Sequence, residues 1–140
     1  MYVDPIVDTI HKDFQEICGY DPIDEPILTL GFKNNWFTTH DEFDNIKVTM
    51  PHLLLAMKMN SVLNRDKDDK RIKDMCDIFA LMWHSTTTFD DIKIRFRMIY
   101  DRKKAADTIS KFTDHDISRV GETLGISHSE IEAVFTEFSK

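Results

Sequence analysis

The sequence predicts an α+β fold dominated by helices, with a small antiparallel sheet at about residues 27–50 packed on a bundle of five to six helices. Two observations carry this prediction. Short β-branched and aromatic runs separated by turn residues fall between 27 and 50. From residue 51 onward, apolar residues recur at helical spacing between capping residues. At 140 residues, the chain is expected to form one domain, with a first helix and the sheet in 1–50 and the bundle in 51–140.

The first fifty residues are expected to contain one helix and two or three strands. Apolar residues spaced by four, four and three predict a helix over 5–18, and these residues are Ile6, Ile10, Phe14 and Ile17. Gly19 is placed to end this helix, and a turn is predicted over 21–26. Strands are then predicted at 27–32, 36–39 and 46–50, and they need the following helices as a packing surface.

Two long helices follow the predicted sheet. Thr49 as N-cap and Pro51 in the first turn predict a helix to about Asn64. Its buried face is predicted to contain Leu53, Leu54, Met57 and Ser61. A polar break over 65–71 leads to a second helix, which ends near His84. The apolar stripe of this second helix is predicted to be Ile72, Cys76, Phe79, Ala80 and Trp83.

The last third of the chain is predicted to be helical. Residues 92–98 alternate apolar and basic side chains, as a strand does, yet Ile92, Phe96 and Ile99 also fit a helix. We favour a helix because Thr88 can cap it and the helical segment 101–112 follows. A helix from Asp114 ends at Gly125, and a capping box of Ser127 and Glu130 starts a final helix. Its buried residues are predicted to be Ile131, Val134, Phe135 and Phe138.

Composition sets limits on location and chemistry. The chain has 41% hydrophobic and 31% charged residues, which is ordinary for a soluble globular protein. No window approaches the 18 or so apolar residues of a membrane span, and the acidic N-terminus does not resemble a signal peptide, so a cytoplasmic location without membrane contact is expected. Cys18 and Cys76 make no metal signature and are expected as buried thiols, and no histidine spacing predicts a metal site.

Charged residues on the two long helices allow two interpretations. Lys58 and Arg65 lie seven residues apart, while Lys73, Asp74 and Asp77 share another helical face. In the first interpretation this is a solvated surface, with an exposed Lys73–Asp77 ion pair and a lysine that extends to solvent, as most helical charge runs are. In the second, Lys58 among apolar neighbours offers a phosphate a point charge, and a carboxylate on the facing helix holds that lysine or a metal-bound phosphate.

The segment LLLAMKMNSVLNR, followed by RIKDMCDI, resembles the C-terminal half of the AbiEii/AbiGii-type nucleotidyltransferases, which include toxins of toxin–antitoxin systems. The resemblance covers roughly residues 46–84, with a weaker match in the helices beyond. It implies that Lys58 binds the nucleotide phosphates and that Arg65 matches the arginine following that helix. Lys73, Asp74 and Asp77 match the family's (R/K)-D-x-x-D motif. The resemblance therefore implies Asp74 and Asp77 as catalytic residues, and Lys58, Arg65 and Lys73 as phosphate-binding residues.

The sequence departs from the family in its first half. The family's catalytic core begins with a G-S-x-x-x-R motif and paired aspartates that hold divalent metal ions, and this chain contains no Gly-Ser pair. Two-metal transfer needs such carboxylates. We therefore expect a domain that supplies phosphate-side helices, as the C-terminal part of a longer enzyme or of a split one, and that is inactive alone. Mg²⁺ and an NTP are expected once the catalytic half is supplied, with neither retained by this chain alone. A missing N-terminal half or an antitoxin is the expected protein partner.

Six basic residues and one acid lie between 93 and 104, namely Lys93, Arg95, Arg97, Arg102, Lys103 and Lys104 against Asp101. This basic segment is either the solvated face of a helix or, in a complete transferase, a surface that steers an RNA acceptor or the triphosphate. The alternative to a transferase is a non-catalytic helical interaction module that retains only the fold. The transferase hypothesis predicts that Lys58 and Asp74 converge on one cleft, whereas the interaction module predicts that each points separately into solvent.

Overall fold

The computed structural model describes residues 6–7, 13, 16–17, 19, 23–40, 46–84 and 88–140. Over these residues the fold is α+β and dominated by helices, which confirms the predicted class, although the helices number seven rather than five to six. In chain order, the elements are β1 Ile6–Val7, β2 Ile23–Asp24, α1 Ile27–Asn34, β3 Phe37–His40, β4 Ile46–Thr49, α2 Pro51–Ser61, α3 Asp68–Trp83, α4 Phe89–Arg97, α5 Arg102–Ile109, α6 Asp114–Leu124 and α7 His128–Ser139. A short 3-10 turn, Val62–Asn64, follows α2. None of the described helices is both long enough and apolar enough to cross a membrane.

The predicted antiparallel pairing is present between β3 and β4. Phe37 lies opposite Thr49 and His40 opposite Ile46, so the two strands pair along their whole length. A second, parallel pair joins β1 to β2, with Ile6 opposite Ile23. The start of the predicted 5–18 helix and the turn predicted over 21–26 are therefore wrong, because both segments contain strand residues. The two strands are far apart in the sequence, and helical periodicity contains no information about such a pairing.

Most of the remainder of the predicted first helix lies outside the described residues. Within it, the Ile17 amide donates to the Asp13 carbonyl at 3.0 Å, which is a helical hydrogen bond. The side chain of Ile17, one of the apolar residues whose spacing predicts this helix, is exposed. Gly19 has a φ of +75°, a left-handed conformation that suits the predicted end of a helix.

The strand predicted over 27–32 is wrong, because this segment forms helix α1. Leu28 and Gly31 are buried three residues apart on one face. A Cβ at position 31 would lie 2.4 Å from a Leu53 side-chain atom, so glycine permits the close approach of α1 to α2. Asn35, with a φ of 52°, ends the helix in the left-handed conformation. Tertiary packing against α2 therefore outweighs the local strand-like composition.

Helix α2 packs against three other helices, α1, α3 and α4. Its buried residues are His52, Leu53, Leu55, Ala56 and Met59. The predicted buried face is wrong for Leu54, Met57 and Ser61, which are only half-buried, because they share one face of α2 with the half-buried Lys58, while the buried residues lie on the other faces. The N-cap is Met50 rather than Thr49, and Pro51 occupies the first turn as predicted.

The C-terminal helices follow the sequence prediction closely. Helix α4 confirms the helical interpretation of 92–98, and the Thr88 hydroxyl accepts from the Asp91 amide. Capping boxes at Thr113 and Ser127 begin α6 and α7, and Gly125 ends α6 at a φ of 69°. The predicted buried residues of α7 are all buried; they are Ile131, Val134, Phe135 and Phe138.

Helix α3 begins earlier than predicted and faces the core differently at its end. It starts at Asp68, inside the predicted 65–71 break. Ile72, Cys76 and Phe79 are buried as predicted, and Cys76 is a free thiol, whereas Cys18 lies outside the described residues. Ala80 is only half-buried, and Trp83 is 56% exposed, stacked on Phe79 at the margin of the core. The stripe prediction is therefore wrong for Trp83, since the helix ends there with little to cover the ring.

Candidate functional site

Lys58 joins the two long helices through a pair of aspartates. Its Nζ lies 2.7 Å from Asp74 Oδ1 and 2.6 Å from Asp77 Oδ2. The two aspartates stand three residues apart on α3, so both project toward α2. The exposed Lys73–Asp77 pair of the solvated-surface interpretation does not form. Asp77 binds Lys58 instead, and Lys73 is exposed without an ion pair to any described residue.

Arg65 approaches the same aspartate from the other side. It follows the 3-10 turn Val62–Asn64, which reverses the chain between α2 and α3. Its Nε lies 2.5 Å from Asp74 Oδ2, and the Ser61 hydroxyl donates to the same oxygen at 3.4 Å. Lys58, Arg65, Asp74 and Asp77 together are called the charge cluster below.

Asp74 is the buried centre of the charge cluster. Its side chain is 4% exposed, and both of its oxygens accept hydrogen bonds from a cation. Burial alone disfavours the ionised carboxyl, yet the hydrogen bonds and charges of Arg65 and Lys58 outweigh it and hold the pKa of Asp74 below its usual value. Likewise, burial opposes the charge on Lys58, but the two carboxylates raise its pKa overall. The pair is therefore ionised at neutral pH.

A groove of about 680 Å³ opens beside the charge cluster. Its lining residues are Pro51, Leu54, Lys58, Asp77, Ala80, Leu81 and His84. Lys58 and Asp77 are the charged members of this set, with side chains 22% and 39% exposed. Asp74 is not part of the lining. The groove thus combines mostly apolar walls with one accessible ammonium and one accessible carboxylate. Asp74 contacts the ammonium of Lys58 without lining the groove itself.

The structure brings together four of the five residues predicted for the site. Lys58, Arg65, Asp74 and Asp77 converge, whereas Lys73 is exposed and makes no ion pair with them. Sequence reasoning missed Ser61, which it placed in the core. Its spacing of three residues from Lys58 was the available signal, since residues three apart share a helical face.

Two of the six cations in the basic segment from 93 to 104 make contacts within the chain. Lys93 Nζ donates to the Glu137 carbonyl at 2.6 Å, and Lys104 donates to the Asn60 side chain at 3.1 Å. Lys104 also lies over the Tyr100 ring, 4.9 Å from its centroid. The other four cations are exposed, namely Arg95, Arg97, Arg102 and Lys103. Contact with an RNA acceptor through this segment stays a prediction.

The part of the chain that the structure describes contains no group of side chains that could bind a metal ion. No three histidine, cysteine, aspartate or glutamate side chains there gather closely enough to hold an ion. The charge cluster contributes one accessible carboxylate, that of Asp77, and its Oδ2 already accepts from Lys58. A divalent ion at the groove would therefore need ligands from a nucleotide or from outside the described residues.

Acid is expected to destabilise the fold through His52, which is 3% exposed and lies edge-on to Trp36. Its Nε2 has no hydrogen-bond partner among the described residues. Burial, and then the positive charge of Arg95, lowers the pKa of His52. The unfolded chain takes up a proton below about pH 6.5 that the folded chain resists, so this contribution to stability is complete above that pH and falls below it.

The measurement is urea unfolding between pH 7.5 and pH 5. We expect His52→Leu to flatten a slope of up to about 1.4 kcal/mol per pH unit in this range, and the control His115→Gln, at an exposed histidine, to preserve it. Equal slopes in His52→Leu and the unaltered protein would exclude His52 as the cause.

Comparison with known proteins gives no relative for this chain: no family model, curated protein or solved structure matches it. The resemblance to the nucleotidyltransferases therefore stays a prediction from the residues that carry it, chiefly those between 46 and 84.

Proposed function

We propose that this chain is a nucleotidyltransferase-related domain of the AbiEii kind, which supplies the phosphate-side cations of a transfer site. The observation that supports the proposal most strongly is the convergence of Lys58 and Arg65 on a buried aspartate beside a groove. Burying a carboxylate costs several kcal/mol unless it is fully paired. The charged side chains of a solvated surface stay in water, so a buried and fully paired Asp74 distinguishes this site from such a surface. The separate, solvent-directed Lys58 and Asp74 of the interaction module are not observed.

In the proposed site, each charged residue has a distinct task. Lys58 presents a compact charge to a phosphate that enters the groove. Arg65 uses Nε on Asp74, which leaves its two terminal nitrogens for a bidentate phosphate contact. For Asp74 we propose a positioning role in place of the catalytic role that the resemblance implies, because its buried oxygens hold both cations and it does not line the groove. Catalytic participation of Asp77 and phosphate contact by Lys73 remain predictions from the resemblance.

Nucleotidyl transfer needs groups beyond the charge cluster. Mg²⁺ that accompanies an NTP would neutralise phosphate charge and polarise the α-phosphate when carboxylate ligands are present. The described residues provide no such set of ligands. We therefore propose that this chain alone binds the triphosphate only weakly and does not retain it, and that transfer occurs only after a catalytic half or partner supplies the metal ligands.

Thermal unfolding in the presence of millimolar Mg²⁺–NTP tests the proposal. Ligand at ten times its dissociation constant stabilises the folded state by about 1.4 kcal/mol, so the melting temperature should rise. Lys58→Met should abolish that rise. Lys111→Met, which removes the same charge from an exposed residue of the α5–α6 turn, should retain it. An unaltered melting temperature in the unmodified protein, or a rise that survives Lys58→Met, would refute the proposal and favour a non-catalytic interaction module.

A further inference from the structure

The two aspartates that hold Lys58 differ in what lies beyond them. Asp74 is 4% exposed and is enclosed by Lys58, Arg65 and Ser61. Asp77 is 39% exposed, lines the groove and has Lys58 as its ion-pair partner among the described residues. An ammonium has three N–H donors, and Asp77 accepts one of them on the side that faces the groove. Asp77 thus lies where an incoming anion would contact Lys58.

The charge cluster carries no net charge as it stands, because two cations face two carboxylates. An anion that enters the groove meets the negative charge of Asp77 next to the positive charge of Lys58, because both side chains line the groove and lie 2.6 Å apart. Unit charges a few ångströms apart in a partly desolvated site change binding by at least about tenfold. A free polyphosphate therefore gains little from Lys58 while Asp77 remains ionised and in place.

We infer that Asp77 is the specificity-determining residue of this groove: its carboxylate competes with incoming anions for the Lys58 ammonium and excludes those that cannot displace or neutralise it. The inference rests on the proposed role of Lys58 as a phosphate-side cation. It assigns the two aspartates of the K-D-x-x-D run to different tasks, Asp74 holding the cations and Asp77 limiting access to one of them. Residues 77, 80 and 81 of α3, with His84 directly after it, line the groove, and Asp77 is the first of them along the helix.

The test measures binding of inorganic tripolyphosphate by calorimetry in metal-free buffer. Asp77→Asn keeps an oxygen that can accept from Lys58 but removes the charge, and it should bind tripolyphosphate about tenfold more tightly than the unmodified protein. The double variant Lys58→Met/Asp77→Asn should lose the gain. Asp90→Asn makes the same charge change at an exposed residue of α4 and should leave the affinity unchanged. Asp77→Ser serves as a second variant if Asp77→Asn does not fold.

Either of two results would overturn the inference. One is an affinity in the Asp77 variants equal to or below that of the unmodified protein. The other is an equal gain in Asp90→Asn, which would indicate an effect of overall charge. The outcome is separable from that of the proposed function, because one test uses metal-free tripolyphosphate and the other Mg²⁺–NTP. A gain through Lys58 without any NTP binding would support the inference and reject the function, whereas NTP binding without a gain would do the reverse.

Discussion

Replacing Asp74 with asparagine is expected to lower the free energy of unfolding by about 3 kcal/mol. The substitution hardly changes the volume but leaves Lys58 and Arg65 facing a neutral amide at a site where the carboxylate is 4% exposed. Removing one partner of a buried ion pair typically costs about 3–5 kcal/mol, and the lower end applies because both cations keep some contact with solvent. Urea denaturation at pH 7 measures this difference.

The control for the Asp74 prediction is Asp116, a second buried aspartate that lies outside the charge cluster. Asp116 is 6% exposed, and its Oδ2 lies 2.7 Å from Arg71 Nη2. Asp116→Asn should therefore destabilise the protein comparably but leave the melting-temperature rise with Mg²⁺–NTP intact, whereas Asp74→Asn should remove it. Asp77→Asn should cost no more than about 1 kcal/mol, since Asp77 is partly exposed. A loss below about 1 kcal/mol in Asp74→Asn would contradict the assignment of Asp74 as the centre of the charge cluster.

The pH dependence of stability gives an independent measure of Asp74. Its pKa is lowered in the folded state, so its contribution is present above the ordinary aspartate pKa of about 3.9 and is lost as the pH falls through the folded value. Asp74→Asn should accordingly unfold less steeply with acid below about pH 4. This range lies well below the one assigned to His52, so the two effects can be separated in one titration.

Phe135→Ala is expected to destabilise the fold by about 3–5 kcal/mol. Phe135 is 2% exposed on α7 and meets two other rings edge-on. Its centroid lies 6.3 Å from that of Phe79 on α3 and 5.2 Å from that of Phe112, between α5 and α6. One side chain therefore joins three parts of the bundle, and its truncation leaves a cavity that none of them can fill without moving.

Phe135→Leu provides the matched control for this cavity. Leucine keeps most of the apolar volume, so its cost should be clearly smaller, about 1–2 kcal/mol. Both variants should retain the Mg²⁺–NTP response when assayed well below their melting temperatures, because Phe135 does not line the groove. A cost for Phe135→Ala close to that of Phe135→Leu would show that the three-ring contact does not hold the bundle together.

Helix ends in the C-terminal half were predictable because capping is a local interaction. Thr88, Thr113 and Ser127 each accept from the amide three residues later, and Gly125 takes the left-handed conformation expected after a helix. At the start of a helix, the N-cap hydroxyl and the amide three positions later are brought together by the local backbone, so this hydrogen bond does not depend on distant residues. The helical prediction for the ambiguous segment 92–98 is correct for the same reason, because Thr88 caps the helix that contains it.

Elements whose conformation depends on distant residues were predicted wrongly. Residues 27–32 form α1 because Gly31 lets the helix approach Leu53 on α2. Residues 6–7 pair with 23–24, a contact that local periodicity cannot indicate. Trp83 has apolar spacing but lies where the core ends, so its ring remains exposed.

The sequence by itself determined the helix-dominated class, the helix ends and the residues available for a site, because spacing and capping act over a few residues. It also indicated Lys58 and Asp74 as candidate site residues. Only the tertiary structure decided between a solvated surface and a cluster. The chain reversal at Val62–Asn64 brings α2 and α3 together, and Asp77 then contacts Lys58 rather than Lys73. Which charge pairs with which depends on distances between elements, and those distances are set by the packing of the whole bundle.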